Sequence, residues 1–188
     1  TPKDWASITA QFPPSEADCP DLFALARPHF CYPELLAALE RRYADETQPL
    51  RFCGLSLGGM LALDYAIRHA DKVESLVLMG MQYKTPRLLF ALQDFLFRWM
   101  PDDSFSGMGL SKPELLHLTR SMRTLDFTEQ LSSIRCPVQI LCGEQDHANQ
   151  KAAFQLKRLL PQAELHLIPG AGHELNRCAP DVLLEFFH

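Results

Sequence analysis

No run of lysine or arginine occurs in this chain, and 23 acidic residues against 18 basic ones leave a formal charge of −5. That balance argues against nucleic acid or an anionic membrane as a main partner. No apolar stretch is long enough to span a bilayer. The six cysteines (Cys19, Cys31, Cys53, Cys136, Cys142 and Cys178) show no C-x-x-C spacing and read as reduced, buried thiols of a cytoplasmic protein. Histidines and cysteines lack zinc-ligand spacing, and no metal or other cofactor is expected. Internal repeats, low-complexity tracts and flexible linkers are also lacking. What is present is 188 residues of 47% hydrophobic content, enough to bury one sizeable core.

The densest local signal is Arg51-Phe-Cys-Gly-Leu-Ser-Leu-Gly-Gly-Met60, which contains G-x-S-x-G at Gly54, Ser56 and Gly58. Leu50, Phe52 and Cys53 supply a strand before it. Met60, Leu61, Leu63, Tyr65, Ala66 and Ile67 recur at helical spacing after it, up to Ala70. A serine hydroxyl is a weak nucleophile, and a tight strand-to-helix turn flanked by glycines is the setting that exposes and strains it. Ser56 is therefore the candidate nucleophile.

An acid and a base follow in chain order. Cys136-Pro-Val-Gln-Ile-Leu-Cys-Gly-Glu-Gln-Asp146 reads as a buried strand, Val138 to Cys142, breaking at Gly143 into a loop that carries Asp146. Ala163-Glu-Leu-His-Leu-Ile168 alternates as a strand and runs into Pro169-Gly-Ala-Gly-His173, where glycines let a loop bring an imidazole close to another backbone. His173 is the expected base and Asp146 its orienting acid. Two alternatives stay open for the acid: Asp146 as the cap of a helix beginning near Asn149, and Glu144 as the carboxylate on the same loop. All three candidates follow predicted parallel strands, whose carboxyl ends are where open α/β sheets bind ligands.

Gly54-Leu-Ser-Leu-Gly-Gly59, the strand Val73 to Gly80, Pro137 to Asp146, and Pro169-Gly-Ala-Gly-His173 together resemble the α/β-hydrolase superfamily over most of the chain. The resemblance implies an α/β fold, a mainly parallel sheet flanked by helices, and a cofactor-independent serine hydrolase of a superfamily that cleaves esters, thioesters, lactones or amides. It implies a class and not a substrate, and a small or medium apolar ester or thioester is the expected substrate class. The resemblance also implies a role for the Leu57 amide as one oxyanion donor. A triad-dependent C–C lyase or elimination enzyme, and a non-catalytic binding protein, are the alternatives. The His-Gly turn that supplies the family's second oxyanion donor has no counterpart in the sequence, and Lys3-Asp-Trp5 resembles the helix start just beyond it. The N-terminal strands of the family are thus expected to be missing, leaving a cleft between a strand near Cys19 to Phe23 and the strand at Leu50 to Cys53.

The remaining segment, Gln82 to Ile134, reads as a helical insertion. Thr85-Pro86 marks one helix start, with Leu88, Leu89, Phe90, Leu92, Phe95, Leu96, Trp99 and Met100 forming an apolar surface. Ser111-Lys-Pro-Glu114 has capping-box spacing, and Asp126-Phe-Thr-Glu129 marks a third short helix. In the family this position holds a lid. Residues 1–81 and 135–188 are accordingly expected to form the two parts of the core and 82–134 the lid, with Phe90, Phe95 and Trp99 as candidate substrate contacts.

Overall fold

Leu55 and Gly143 end two of four strands that form one parallel sheet, in the order β1 (Leu50–Leu55), β2 (Val73–Met79), β3 (Val138–Gly143) and β4 (Glu164–Ile168). The computed structural model describes residues 1–27, 30–86 and 111–187. Sequential strands lie side by side, with Leu55 opposite Met79, Met79 opposite Leu141, and Gly143 opposite Ile168. This register brings the carboxyl ends of all four strands to one edge of the sheet, the edge at which Ser56, Gly80, Glu144 and Pro169 begin their loops.

The hydrophobic pattern dictates burial on both faces of β2 and β3, whose runs Leu76-Val-Leu-Met79 and Ile140-Leu-Cys142 are buried. Such runs suit strands covered by helices on both sides. On one face Cys53, Leu55, Val77, Met79 and Leu141 pack with Ile8, Leu175 and Leu183 from short helices at Ala6–Thr9, Leu175–Cys178 and Pro180–Leu184. On the other, Phe52 meets Tyr65 with ring centroids 4.9 Å apart. Tyr65 belongs to the helix Leu57–Arg68. The sheet is thus the middle layer of an α/β fold.

The chain divides into two compact units, the first built from Thr1–Pro20, Asp45–Tyr83 and the residues from Phe127 onward, and containing the sheet. The second draws on Asp21–Ala44 and Lys84–Asp126. We number the longer helices α1 (Tyr32–Arg42), α2 (Leu57–Arg68), α3 (Lys112–Ser121) and α4 (His147–Leu159). Within the second unit α1 and α3 are tied where the Tyr32 amide donates to Ser121 Oγ at 2.9 Å. The Glu114 carboxylate accepts from the Ser111 amide at 2.8 Å and from its hydroxyl at 2.6 Å. The buried Thr85 hydroxyl donates to the Met122 carbonyl at 2.8 Å.

Three expected elements differ. Cys19 to Phe23 is not a strand: the Asp21 carboxylate accepts from the amides of Phe23 and Ala24, at 3.0 and 3.4 Å, and starts a helical turn at Leu22–Leu25. Backbone groups with no ladder to join take local partners, and aspartate offers one. The helix after Ser56 stops at Arg68, with a separate 3₁₀ turn at Ala70–Lys72. The short helix expected at Asp126 begins at Gln130 and is 3₁₀, because Asp126 instead pairs with Lys84 in an antiparallel bridge and a 2.6 Å ion pair. The helix expected after Thr85-Pro86 lies outside the described residues.

Candidate active site

Ser56 sits between β1 and α2 with φ 53° and ψ −113°, the one non-glycine residue with positive φ among the described residues. Such a conformation costs about 1–3 kcal/mol and persists only where its surroundings over-determine it. Here the Ser56 amide donates to the Met79 carbonyl at 2.8 Å, and its carbonyl accepts from Met60 at 3.1 Å. The strand runs so close to the first turn of α2 that a Cβ on Gly54 would lie 2.3 Å from the Gly58 carbonyl carbon. Gly58 itself has open space around its Cα, and the second crowded glycine is Gly59, where a Cβ would lie 2.9 Å from the Gly54 oxygen. Room for the turn is therefore made by Gly54 and Gly59 rather than by the flanking pair of the motif. Leu57 opens α2, so its N–H has no acceptor inside the helix and lies at the positive end of the helix dipole.

Asp146 follows β3 in a turn closed by its amide on the Gly143 carbonyl at 3.0 Å, while Gln145 donates to the Ala171 carbonyl at 2.8 Å. It occupies the position before α4, yet its carboxylate caps no backbone amide. Instead Oδ2 lies 2.7 Å from His173 Nδ1. The acid is 5% exposed at its side chain and the imidazole 40%. A carboxylate only accepts, so Nδ1 carries the proton of this bond, and in the neutral imidazole Nε2 then keeps a lone pair for another donor. Glu144, the other carboxylate of this loop, is exposed and accepts from the Gly170 amide at 3.1 Å, bracing the loop that presents His173.

Met79 and Gly80 connect the serine to this pair. Met79 receives the Ser56 amide, and the next residue, Gly80, has φ 49° and donates to the Leu141 carbonyl at 3.0 Å. A Cβ on Gly80 would sit 2.9 Å from His173 Nδ1 and 3.1 Å from Asp146 Oδ2. The end of β2 thus touches the serine turn on one side and the acid–imidazole pair on the other.

Asn149 and Gln82 complete the acid's surroundings. Asn149 Nδ2 donates to both Asp146 oxygens, at 2.9 and 3.0 Å, and Gln82 Nε2 donates to Asn149 Oδ1 at 2.8 Å. Beneath the acid, Cys142 is fully buried, with its sulfur 3.9 Å from the Asp146 carbonyl. Burial, then the nearby Asp146 charge, push its thiol up to about 11. Burial also pushes up the Cys53 thiol, on β1.

Sequence reasoning overlooked Gly80, Asn149 and Gln82. Asn149 was visible one helical turn after Asp146, the spacing that puts two side chains on one helix face. No local pattern marks Gln82. Of the other histidines, His147 is exposed, and His166, inside β4, meets Gln139 Oε1 at 2.7 Å. Phe90, Phe95 and Trp99 lie outside the described residues. Among the described residues no cluster of three or more His, Cys, Asp or Glu side chains is arranged to hold a metal, and no helix is long and apolar enough to cross a membrane.

Residues 5–185 match a family described as the alpha/beta hydrolase family. A 71-residue stretch is 32% identical to "Putative carbamate hydrolase RutD" of Escherichia coli, covering 37% of this chain and 27% of that protein's length. In solved structures the fold is similar to that of an esterase from Exiguobacterium antarcticum, with a TM-score of 0.71 at 14% identity over 84% of this chain and 72% of that one. It is also similar to an enol-lactonase from Burkholderia xenovorans, with a TM-score of 0.66 at 18% identity over 84% and 71% of the two chains.

Proposed function

Because the chain belongs to the alpha/beta hydrolase family, we propose that it contributes a serine nucleophile, base and acid to the hydrolysis of a small or medium apolar ester or thioester. The observation that carries the reading is the 2.7 Å His173–Asp146 pair standing against Gly80, one residue beyond the carbonyl that holds the strained Ser56.

In this mechanism the Ser56 hydroxyl attacks the substrate carbonyl carbon while His173 Nε2 takes its proton. Asp146 fixes the tautomer that leaves Nε2 free and steadies the imidazolium. The developing oxyanion accepts from the Leu57 amide, whose hydrogen no helical carbonyl claims. Collapse expels the alcohol or thiol, which takes the proton from His173. A water molecule then attacks the acyl-enzyme with the same imidazole as base, releasing the acid and restoring the serine. The apolar preference draws on the sequence around Phe90, Phe95 and Trp99. A reducing, cytoplasmic setting is part of the same reading and rests on the sequence, whose six cysteines show no C-x-x-C spacing.

Labelling with a fluorophosphonate, mapped by mass spectrometry beside a Ser56→Ala control, tests the reading. Modification confined to Ser56 is expected, together with hydrolysis of p-nitrophenyl butyrate that the control lacks. A folded protein that neither labels nor hydrolyses would overturn it.

A further inference from the structure

An asparagine beside a buried carboxylate has two faces to offer, and only one is tolerable. With Nδ2 toward Asp146 it donates to both oxygens, at 2.9 and 3.0 Å. Reversed, the amide would set Oδ1 against the carboxylate, acceptor against acceptor in a buried place, which is costly. The same Nδ2 lies 3.2 Å from His173 Nδ1. Two arrangements of protons are therefore available: Nδ1 protonated and committed to Asp146, or Nδ1 unprotonated and accepting from Asn149. Only the first leaves Nε2 free to act as a base.

What fixes the amide comes from another strand. Gln82, just past the end of β2, donates through Nε2 to Asn149 Oδ1 at 2.8 Å and to the Ala148 carbonyl at 3.2 Å. Both of those acceptors require the nitrogen of Gln82 at that end, so its own orientation is settled, and with it the orientation of Asn149. The hydrogens of Asn149 then go to the carboxylate, which holds its Oδ2 for His173 at 2.7 Å.

We propose that Gln82 and Asn149 form a positioning relay for the active site, in which the Gln82 amide orients Asn149, Asn149 holds the Asp146 carboxylate, and the carboxylate keeps His173 protonated on Nδ1. Neither residue touches the reacting atoms. The proposal rests on the hydrolase reading for its kinetic consequences, but its structural claim, the tautomer of His173, stands apart from activity. The relay also joins the ends of β2 and β3 through side chains, which adds a direct link between the serine side of the site and the acid loop.

The test compares the parent with Asn149→Leu, which is close in size and cannot donate, with Gln82→Met, and with the double variant. Three readouts apply: the rate of Ser56 labelling, the steady-state hydrolysis of p-nitrophenyl butyrate, and ¹⁵N NMR of the His173 ring, which distinguishes the two tautomers. Misplacement of a catalytic group by about 1 Å costs on the order of 10²-fold. Asn149→Leu is expected to lower kcat and the labelling rate by about that factor with KM within about twofold, the mark of a lost transition-state effect rather than lost binding. It is also expected to erode the Nδ1–H tautomer, because the Asp146 carboxylate, no longer held by Asn149, turns away from Nδ1 and leaves its proton without an acceptor. Gln82→Met is expected to produce a smaller fall of about 10-fold in the same quantities, and the double variant to be no worse than Asn149→Leu, because residues in one network are not additive. A folded Asn149→Leu with the parent's kcat and tautomer, or independent, multiplicative losses in the double variant, overturns the proposal. If Asn149→Leu fails to fold, Gln82→Met decides, and an unchanged labelling rate and ring spectrum overturn it. A parent that neither labels nor hydrolyses would sink the hydrolase reading, while the ring spectra would still decide the relay.

Discussion

Gly80→Ala is the sharpest single perturbation because one methyl group probes backbone strain and the geometry of the proposed site together. Gly80 has φ 49°, a left-handed conformation that costs an L-residue roughly 1–2 kcal/mol. Its new Cβ would stand 2.9 Å from His173 Nδ1, 3.1 Å from His173 Cε1 and 3.1 Å from Asp146 Oδ2, well inside ordinary contact. The backbone beside it cannot retreat freely, since the Gly80 amide is bonded to Leu141 at 3.0 Å. The imidazole, 40% exposed at its side chain, is the partner that gives way. Overpacking of this kind adds about 1–3 kcal/mol, so the total cost is about 2–5 kcal/mol. Gly170→Ala supplies the control, because Gly170 has φ 66° but open space around it. It should lose only the strain, about 1–2 kcal/mol. Urea unfolding of both variants separates the two contributions, and fluorophosphonate labelling reports the displaced ring. Gly80→Ala should label at least about 10²-fold more slowly than Gly170→Ala. Equal stability and equal labelling in the two variants would refute the placement of His173 against Gly80.

Three further outcomes follow from the same geometry. Ser56→Gly should raise stability above Ser56→Ala by about 1 kcal/mol, because glycine adopts positive φ without strain; chemical denaturation of the two variants checks this. Gly58→Ala should be neutral or stabilising by about 0.5–1 kcal/mol, whereas Gly54→Ala, whose Cβ would lie 2.3 Å from the Gly58 backbone, should fold poorly or not at all; thermal melts of both distinguish a required glycine from a permitted one. The Cys142 thiol is raised from 9.0 to about 11 in the folded protein, so between those values the folded state holds a proton that the unfolded state has lost. Its contribution to stability is complete below about pH 9 and is lost as pH rises toward about 11, and Cys142→Ala should flatten that limb in urea titrations across the range.

The sequence by itself determined the parallel sheet and the positions of its loops. The apolar runs Leu76 to Met79 and Ile140 to Cys142 admit burial on both faces, and Gly80, Gly143 and Pro169 mark where three of the strands end. Periodicity and turn chemistry are local properties, legible without coordinates. For the same reason Ser56, Asp146 and His173 could each be singled out from a strand, a break and a loop. What the tertiary structure decided is everything that depends on which loop faces which. Whether Asp146 caps α4 or pairs with an imidazole turns on a 2.7 Å contact between residues 27 positions apart. Glu144 and Asp146 are equivalent in sequence, and only the approach of Gly170 to one and His173 to the other separates them. The strand expected at Cys19 to Phe23 failed because a strand is a property of pairs: with no ladder formed there, the Asp21 carboxylate offered the backbone a nearer partner. Gln82 carries no local signature at all, since its contacts with Ala148 and Asn149 span 66 and 67 residues. Hydrogen bonds across such distances are set when helices close over both faces of the sheet, and no window of neighbouring residues contains that information.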